Sequence, residues 1–248
     1  MTPTLQMPAM FATLGTRNRQ PELMDQPGLD ERQHGYALQS LSRINWISRT
    51  SAMIWKPIRK LAGESPGGRP VRILDVACGG GDVVVGLARR AARAGTVVQV
   101  DGCDINPVAV EHARHLAHLA GLKNVEFFQH DALHRPLPEG YDVVTCSLFL
   151  HHLENNDAQT MLRSMGAAAG RMVVASDLRR NRFAYAMTWI ACRVLTRSPI
   201  VHVDGPLSVA AAFTVAEAQE LAERAGLSGA RFSRYFPERF LLVWRKPQ

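Results

Sequence analysis

One run constrains the fold more than any other: Val71-Arg-Ile-Leu-Asp-Val-Ala-Cys-Gly-Gly-Gly-Asp82. It reads as an apolar strand, Val71 to Val76, with a carboxylate at Asp75 and a glycine-rich turn behind it. A helical run rich in Ala, Leu and Arg follows, from Val83 to Ala94. Strand, glycine turn and helix in that order open a doubly wound α/β sheet that holds a nucleotide. Gly79 and Gly81 let the backbone approach a ligand where a Cβ would clash. The first turn of the helix aims unpaired N–H groups at that ligand.

Downstream, strands and helices alternate. The pattern predicts strands at Thr96–Cys103, Val125–Gln129, Tyr141–Ser147 and Met172–Ser176. Helices are predicted at Pro107–Ala120 and Asp157–Ala169, the first opened by Pro107 and stopped by Gly121. Two closing strands, Ala230–Phe236 and Arg239–Arg245, bring the total to seven. The expected fold is α/β, with a doubly wound, mainly parallel seven-stranded sheet covered by helices. Thr214 and Glu217 form a capping box for a helix over Thr214–Ala225.

Three parts depart from the alternation. Residues 1–20 are rich in Pro, Thr and Met and are expected to be disordered. Residues 21–66, opened by Pro21-Glu-Leu-Met-Asp25, are read as a helical cap with helices at Ala37–Ser48 and Ala52–Leu61. The Gly/Pro-rich linker Gly63–Pro70 leads into the core, residues 67–248. After the fifth strand an insertion over about 179–212 is read as an apolar helix, Arg182–Thr196, then a loop, Ser198–Ser208, with two prolines.

Composition narrows the function classes. Hydrophobic residues make up 46% of the chain, enough for a sizeable core. No uninterrupted apolar run of about 18 residues predicts a membrane span, and no secretory signal is read at the N-terminus. Four cysteines without C-x-x-C spacing indicate neither zinc nor a disulfide framework, so a reducing cytoplasm is expected. The net charge of +7 is spread over scattered arginines. The one dense cluster, Arg179-Arg180-Asn-Arg182, lacks the interleaved aromatics of a nucleic-acid site. The expected partner is a small molecule. Nucleic acid and integral membrane contact are excluded, a peripheral membrane contact through these arginines is left open, and the chain is expected to be a monomer or homodimer.

The glycine turn selects among nucleotides. A dinucleotide site needs G-x-G-x-x-G, and Val84 stands in the third glycine's place; a P-loop's Gly-Lys-Ser/Thr is absent. What remains is a carboxylate, a small residue and two glycines: Asp75, Ala77, Gly79 and Gly81. That pattern resembles motif I of the class I methyltransferases that use S-adenosylmethionine, with Ala77 where the family most often has glycine. Asp101-Gly-Cys-Asp104, His130-Asp131-Ala132 and Tyr141-Asp-Val-Val-Thr-Cys-Ser147 follow at the intervals of its later motifs, and Leu150-His-His-Leu153 is frequent in small-molecule and quinone-type members.

The resemblance implies a set of roles. Asp104, with Ile105 beside it, takes the ribose hydroxyls. Asp131 and Ala132 take the adenine. Asp75, Ala77, Cys78, Gly79, Gly81 and Ser147 surround the methionyl end. Apart from the resemblance, Arg43 on the N-terminal helix is the candidate partner for the cofactor's carboxylate. The product would be S-adenosylhomocysteine. Methyl transfer from a sulfonium is mainly a matter of alignment, but a phenolic acceptor needs a base. Histidine suits that role. The candidates are His152 after the fourth strand, and His202, which strand-like alternation places on one face with Asp204. No metal site is predicted, because His112, His115 and His118 read as solvent-facing with no carboxylate to complete a site. The N-terminal helices and the insertion, with Phe183, Tyr185, Met187 and Trp189, are expected to form a substrate lid. The implied function is O-methylation of a small aromatic or polyketide-like acceptor in secondary metabolism. Its rivals are a carbon methyltransferase of the ubiquinone/menaquinone type and a non-catalytic cofactor-binding or scaffolding protein.

Overall fold

A strand with Val, Ile or Leu on both faces suits a place where both faces of a sheet are covered. In the computed structural model β1 (Val71–Val76) lies there, with only Arg72 exposed. Residues 14–23, 49–64 and 69–247 are described; Arg43 and the predicted helix Ala37–Ser48 lie outside them. The elements run α1 (Thr50–Gly63), β1, α2 (Asp82–Arg93), β2 (Val98–Asp104), α3 (Pro107–Leu119), β3 (Val125–Gln129) and β4 (Tyr141–Ser147). A 3₁₀ turn (Leu150–His152) leads to α4 (Asn155–Ala168) and β5 (Ala169–Leu178). Then come α5 (Arg182–Leu195), α6 (Pro199–Ala211), α7 (Val215–Arg224), β6 (Arg231–Tyr235) and β7 (Arg239–Arg245).

The seven strands form one sheet in the order β3-β2-β1-β4-β5-β7-β6. The first five run parallel, and β7 is antiparallel to both β5 and β6. Alternation along β1 divides the core: Leu74 and Val76 face one side with Met161, Leu162, Leu227 and Phe240, while Ile73 faces the other with Ile54, Ile58, Leu87 and Val110. This is a doubly wound, mainly parallel seven-stranded sheet of Rossmann-like form, as expected. Among the described residues no single helix is long and apolar enough to cross a membrane.

The insertion differs from its predicted form. Ser198–Ser208 is not a loop but most of α6. Ser198 caps it by accepting from the Val201 amide, and Pro199 stands in the first turn, where a missing N–H costs nothing. Gly205, which looks like a turn residue, is a point of close helix contact: a Cβ there would sit 2.5 Å from Cys192 Sγ on α5. Pro206 is tolerated inside the helix.

The N-terminus also departs from expectation, because residues 14–20 lie against the core as a strap rather than free of it. Leu14 is buried. The Arg17 guanidinium donates to the carbonyls of Ala211 (2.6 Å), His151 (2.9 Å) and Leu153 (2.6 Å) and stacks on Phe213. Further along, the Leu23 amide donates to Asp204 at 2.8 Å.

Nor is Arg180 a solvent-facing contact for an acidic group or a membrane, as its sequence neighbours suggest. Its side chain is buried and donates to Leu14 O, to Ala212 O at 2.6 Å and to both Glu217 oxygens at 3.0 and 2.6 Å. Arg179 pairs with Glu238, which leaves Arg182 as the exposed member of the cluster. Arg180→Ala strands three carbonyl or carboxylate acceptor groups at once and is expected to cost about 3 kcal/mol in urea unfolding. Arg180→Lys, with one ammonium in place of a fork, recovers less than half of that.

Candidate functional site

Parallel pairing puts the carboxyl ends of β2, β1, β4 and β5 on one edge, the edge where open α/β sheets bind ligands. The chain leaves β1 through Ala77 and Gly79, whose φ angles are 53° and 50°. For alanine that region costs about 1–2 kcal/mol. A Cβ added at Gly79 would meet nothing within 4 Å, so the turn faces open space. Gly81, with φ 82°, is the opposite case: a Cβ would lie 2.8 Å from the Ala113 methyl and 3.0 Å from the Phe127 ring. Its missing side chain lets α2 close on α3 and β3.

Asp104 joins the turns after β1 and β2. Its Oδ2 accepts from the Gly79 amide at 2.8 Å and its Oδ1 from the Asn106 amide at 2.9 Å. A carboxylate offers about four lone-pair positions, so two remain for a diol. Beside it Ile105 is 60% exposed, an apolar surface at the mouth of the cleft. Asp131 Oδ1 accepts from the amides of Leu133 and His134 at 3.1 and 3.2 Å, and Oδ2 holds the His134 ring at 2.9 Å. Ala132 packs on the core. Two buried polar atoms on this edge have no partner among the described residues: His130 Nε2 and Ser176 Oγ, the latter on the β5 residue paired with Ser147.

Asp75 and Cys78 sit behind the turn. Asp75 is buried and accepts from the Thr145 hydroxyl at 2.6 Å. Burial pushes its carboxyl up to about 6; the Thr145 hydrogen bond opposes that and the charge of Asp104 adds to it. Burial, with Asp75 and Asp104 nearby, also pushes the Cys78 thiol up, so it is no thiolate at neutral pH.

The two histidines after β4 separate as consecutive residues of a tight turn must. His151 points inward and is 3% exposed, while the His152 side chain is partly open. Asp177, buried at the end of β5, accepts from the His151 amide at 3.0 Å and meets its Nδ1 at 2.6 Å. Burial alone would raise the Asp177 carboxyl. The His151 ring and the Leu178 and His151 amides outweigh that and hold it below its ordinary value. The expected pair of His202 with Asp204 does not form. On a helix, residues two apart face away from each other. His202 Nε2 lies 2.8 Å from the Thr196 carbonyl behind α5, and Asp204 holds Leu23. Glu22 and Asp177 carry no motif. Asp177 was nevertheless findable from its place at the carboxyl end of a parallel strand.

Residues 73–171 match the family model described as "Methyltransferase domain". A ubiquinone biosynthesis O-methyltransferase of Pseudomonas fluorescens strain Pf-5 is 31% identical over 157 residues, covering 62% of this chain and 58% of that protein. A demethylmenaquinone methyltransferase of Thermus thermophilus is 38% identical over 107 residues, 42% of this chain and 46% of that one. The chain thus spans only about half the length of these curated relatives. The structure of magnesium protoporphyrin IX methyltransferase from Synechocystis PCC 6803 with bound SAH superposes with a TM-score of 0.57 at 18% identity, covering 82% of this chain and 87% of that one.

The raised value of Asp75 has a consequence for stability. Because the fold favours the protonated carboxyl, its contribution is complete below about pH 4 and is lost as pH rises through about 6. The loss is of the order of 3 kcal/mol. Asp75→Asn, neutral throughout, is expected to resist urea better than the parent at pH 8 and to lose that advantage at pH 4. The reverse ordering would show a well-satisfied carboxylate.

Proposed function

We propose that this chain, whose residues 73–171 match a methyltransferase-domain model, is a class I methyltransferase that transfers a methyl group from S-adenosylmethionine to an oxygen of a small aromatic or polyketide-like acceptor. The observation that carries the cofactor reading is Asp104. Its carboxylate is fixed by two amides, keeps two lone-pair positions for a ribose diol and stands over the open side of Gly79. The exposed Ile105 offers a face to the adenine, and Asp131 with Ala132 borders its edge. Ala77 to Gly81 and Ser147 would receive the methionyl end, with Asp75 and Cys78 supporting the turn from behind. Arg43 remains the proposed partner of the cofactor carboxylate. When bound, the cofactor supplies an activated methyl on a sulfonium, so what this chain must do is align the acceptor and keep water away.

The acceptor side rests on the β4–α4 turn, where His152 is the partly open histidine and the proposed base. His202 has Nε2 against the Thr196 carbonyl, which makes Nδ1 its nitrogen for accepting a proton. The α5–α6 hairpin is the proposed lid. The four unbridged thiols support a cytoplasmic setting. A second reading, methylation at carbon, is favoured by the likeness to the demethylmenaquinone methyltransferase.

Two measurements test this. In calorimetry the parent chain should bind S-adenosylmethionine. Asp104→Ala should lose about 100-fold in affinity, as expected for two charge-assisted hydrogen bonds, with circular dichroism confirming an intact fold. Failure of the parent to bind removes both enzyme readings. Mass spectrometry of products from a panel of phenols and hydroxyquinones should show methyl ethers; a ring-methylated product establishes the carbon reading instead.

A further inference from the structure

Glu22 comes from the N-terminal strap, and His151 and His152 from the turn after β4. Glu22 Oε1 lies 3.9 Å from His151 Nε2 and 4.0 Å from His152 Nδ1. All three atoms fall within 4.8 Å of one another, and Glu22 and His151 are buried. Neither separation is a hydrogen bond. Asp177 lies against Nδ1 of His151, so Nε2 is the ring nitrogen that faces Glu22. A carboxylate and two imidazole nitrogens converge on this buried gap, an arrangement that calls for positive charge, either an added proton on an imidazole or a cation, between them. The orienting contacts around the gap are already in place. A carboxylate on the far nitrogen of a ligating histidine fixes its tautomer, and the Ser208 hydroxyl donates to Glu22 Oε1 at 2.5 Å.

We propose that Glu22, His151 and His152 bind one divalent cation of the zinc class, with Asp177 as the orienting carboxylate, and that the ion fastens the N-terminal strap to the carboxyl edge of the sheet; while the ion is bound His152 is a ligand and not the base. Two imidazoles and one carboxylate are a donor set that suits Zn²⁺. Bonds of about 2.0–2.1 Å place tetrahedral ligands about 3.4 Å apart, so the two Glu22–histidine separations must close by about half an ångström and the pair of histidine nitrogens by up to about 1.4 Å. The sequence offers no such site, because Glu22 is 129 positions from His151 along the chain and joins it only through the strap.

The test uses the full chain, stripped with EDTA and titrated with ZnCl₂ in calorimetry and thermal unfolding, without methyl donor. One ion per chain and a rise in Tm are expected. Glu22→Gln and His152→Ala should each weaken binding at least tenfold, and Asp177→Asn 10- to 100-fold. A His115→Ala/His118→Ala double variant, altering the exposed histidines of α3, should bind as the parent does. Absence of binding by the stripped parent, or binding undiminished in both Glu22→Gln and His152→Ala, overturns the proposal. S-adenosylmethionine affinity measured on the same samples reports on the methyltransferase reading separately.

Discussion

The pairing of β2, β1, β4 and β5 in one direction governs nearly everything else in this molecule. Parallel strands must all end on the same edge, and their ends are where backbone amides and carbonyls go unpaired. Asp104 answers part of that shortage by accepting from two amides of adjoining turns. Asp177 does the same three strands away for the amides of His151 and Leu178. The carboxylates on this edge are therefore structural before they are functional, and their remaining lone pairs are held in place by bonds already made.

Charge burial is the second organising theme. Arg180 is inside, linked to the strap, to the end of α6 and to the capping-box glutamate of α7. Arg239 is also inside, bonded to Thr50 at the start of α1, and burial lowers its guanidinium to about 10. Removing one partner of such an arrangement costs more than the arrangement contributes over an apolar alternative. Their effect is to fix how the strap, the α5–α6 hairpin and the sheet meet, as hydrophobic contact alone does not.

The core was legible in the sequence because its signals are local. Each strand is a short apolar run, each helix a periodic one, and the capping box at Thr214 and Glu217 forms as read. What escaped was set by distant residues. Pro199, Gly205 and Pro206 carry turn chemistry in isolation, yet Gly205 is there to admit Cys192, Pro199 sits in the first turn where a helix accepts it, and the helix runs on through Pro206. His151 and His152 are alike in sequence. Only Asp177, 26 positions away, decides which turns inward. The arginine cluster looked like one surface feature and is three different environments.

The strap explains why the acceptor side resists reading from motifs. Cofactor-side residues come from consecutive strand ends, so their spacing is imposed by the sheet. The proposed acceptor side is assembled from an N-terminal segment, a 3₁₀ turn and a helical hairpin that no ladder connects. Arg17 draws the three together through carbonyls of Ala211, His151 and Leu153, and carbonyl acceptors leave no mark on a sequence. A pocket held by backbone acceptors can change its lining side chains without loss of its frame.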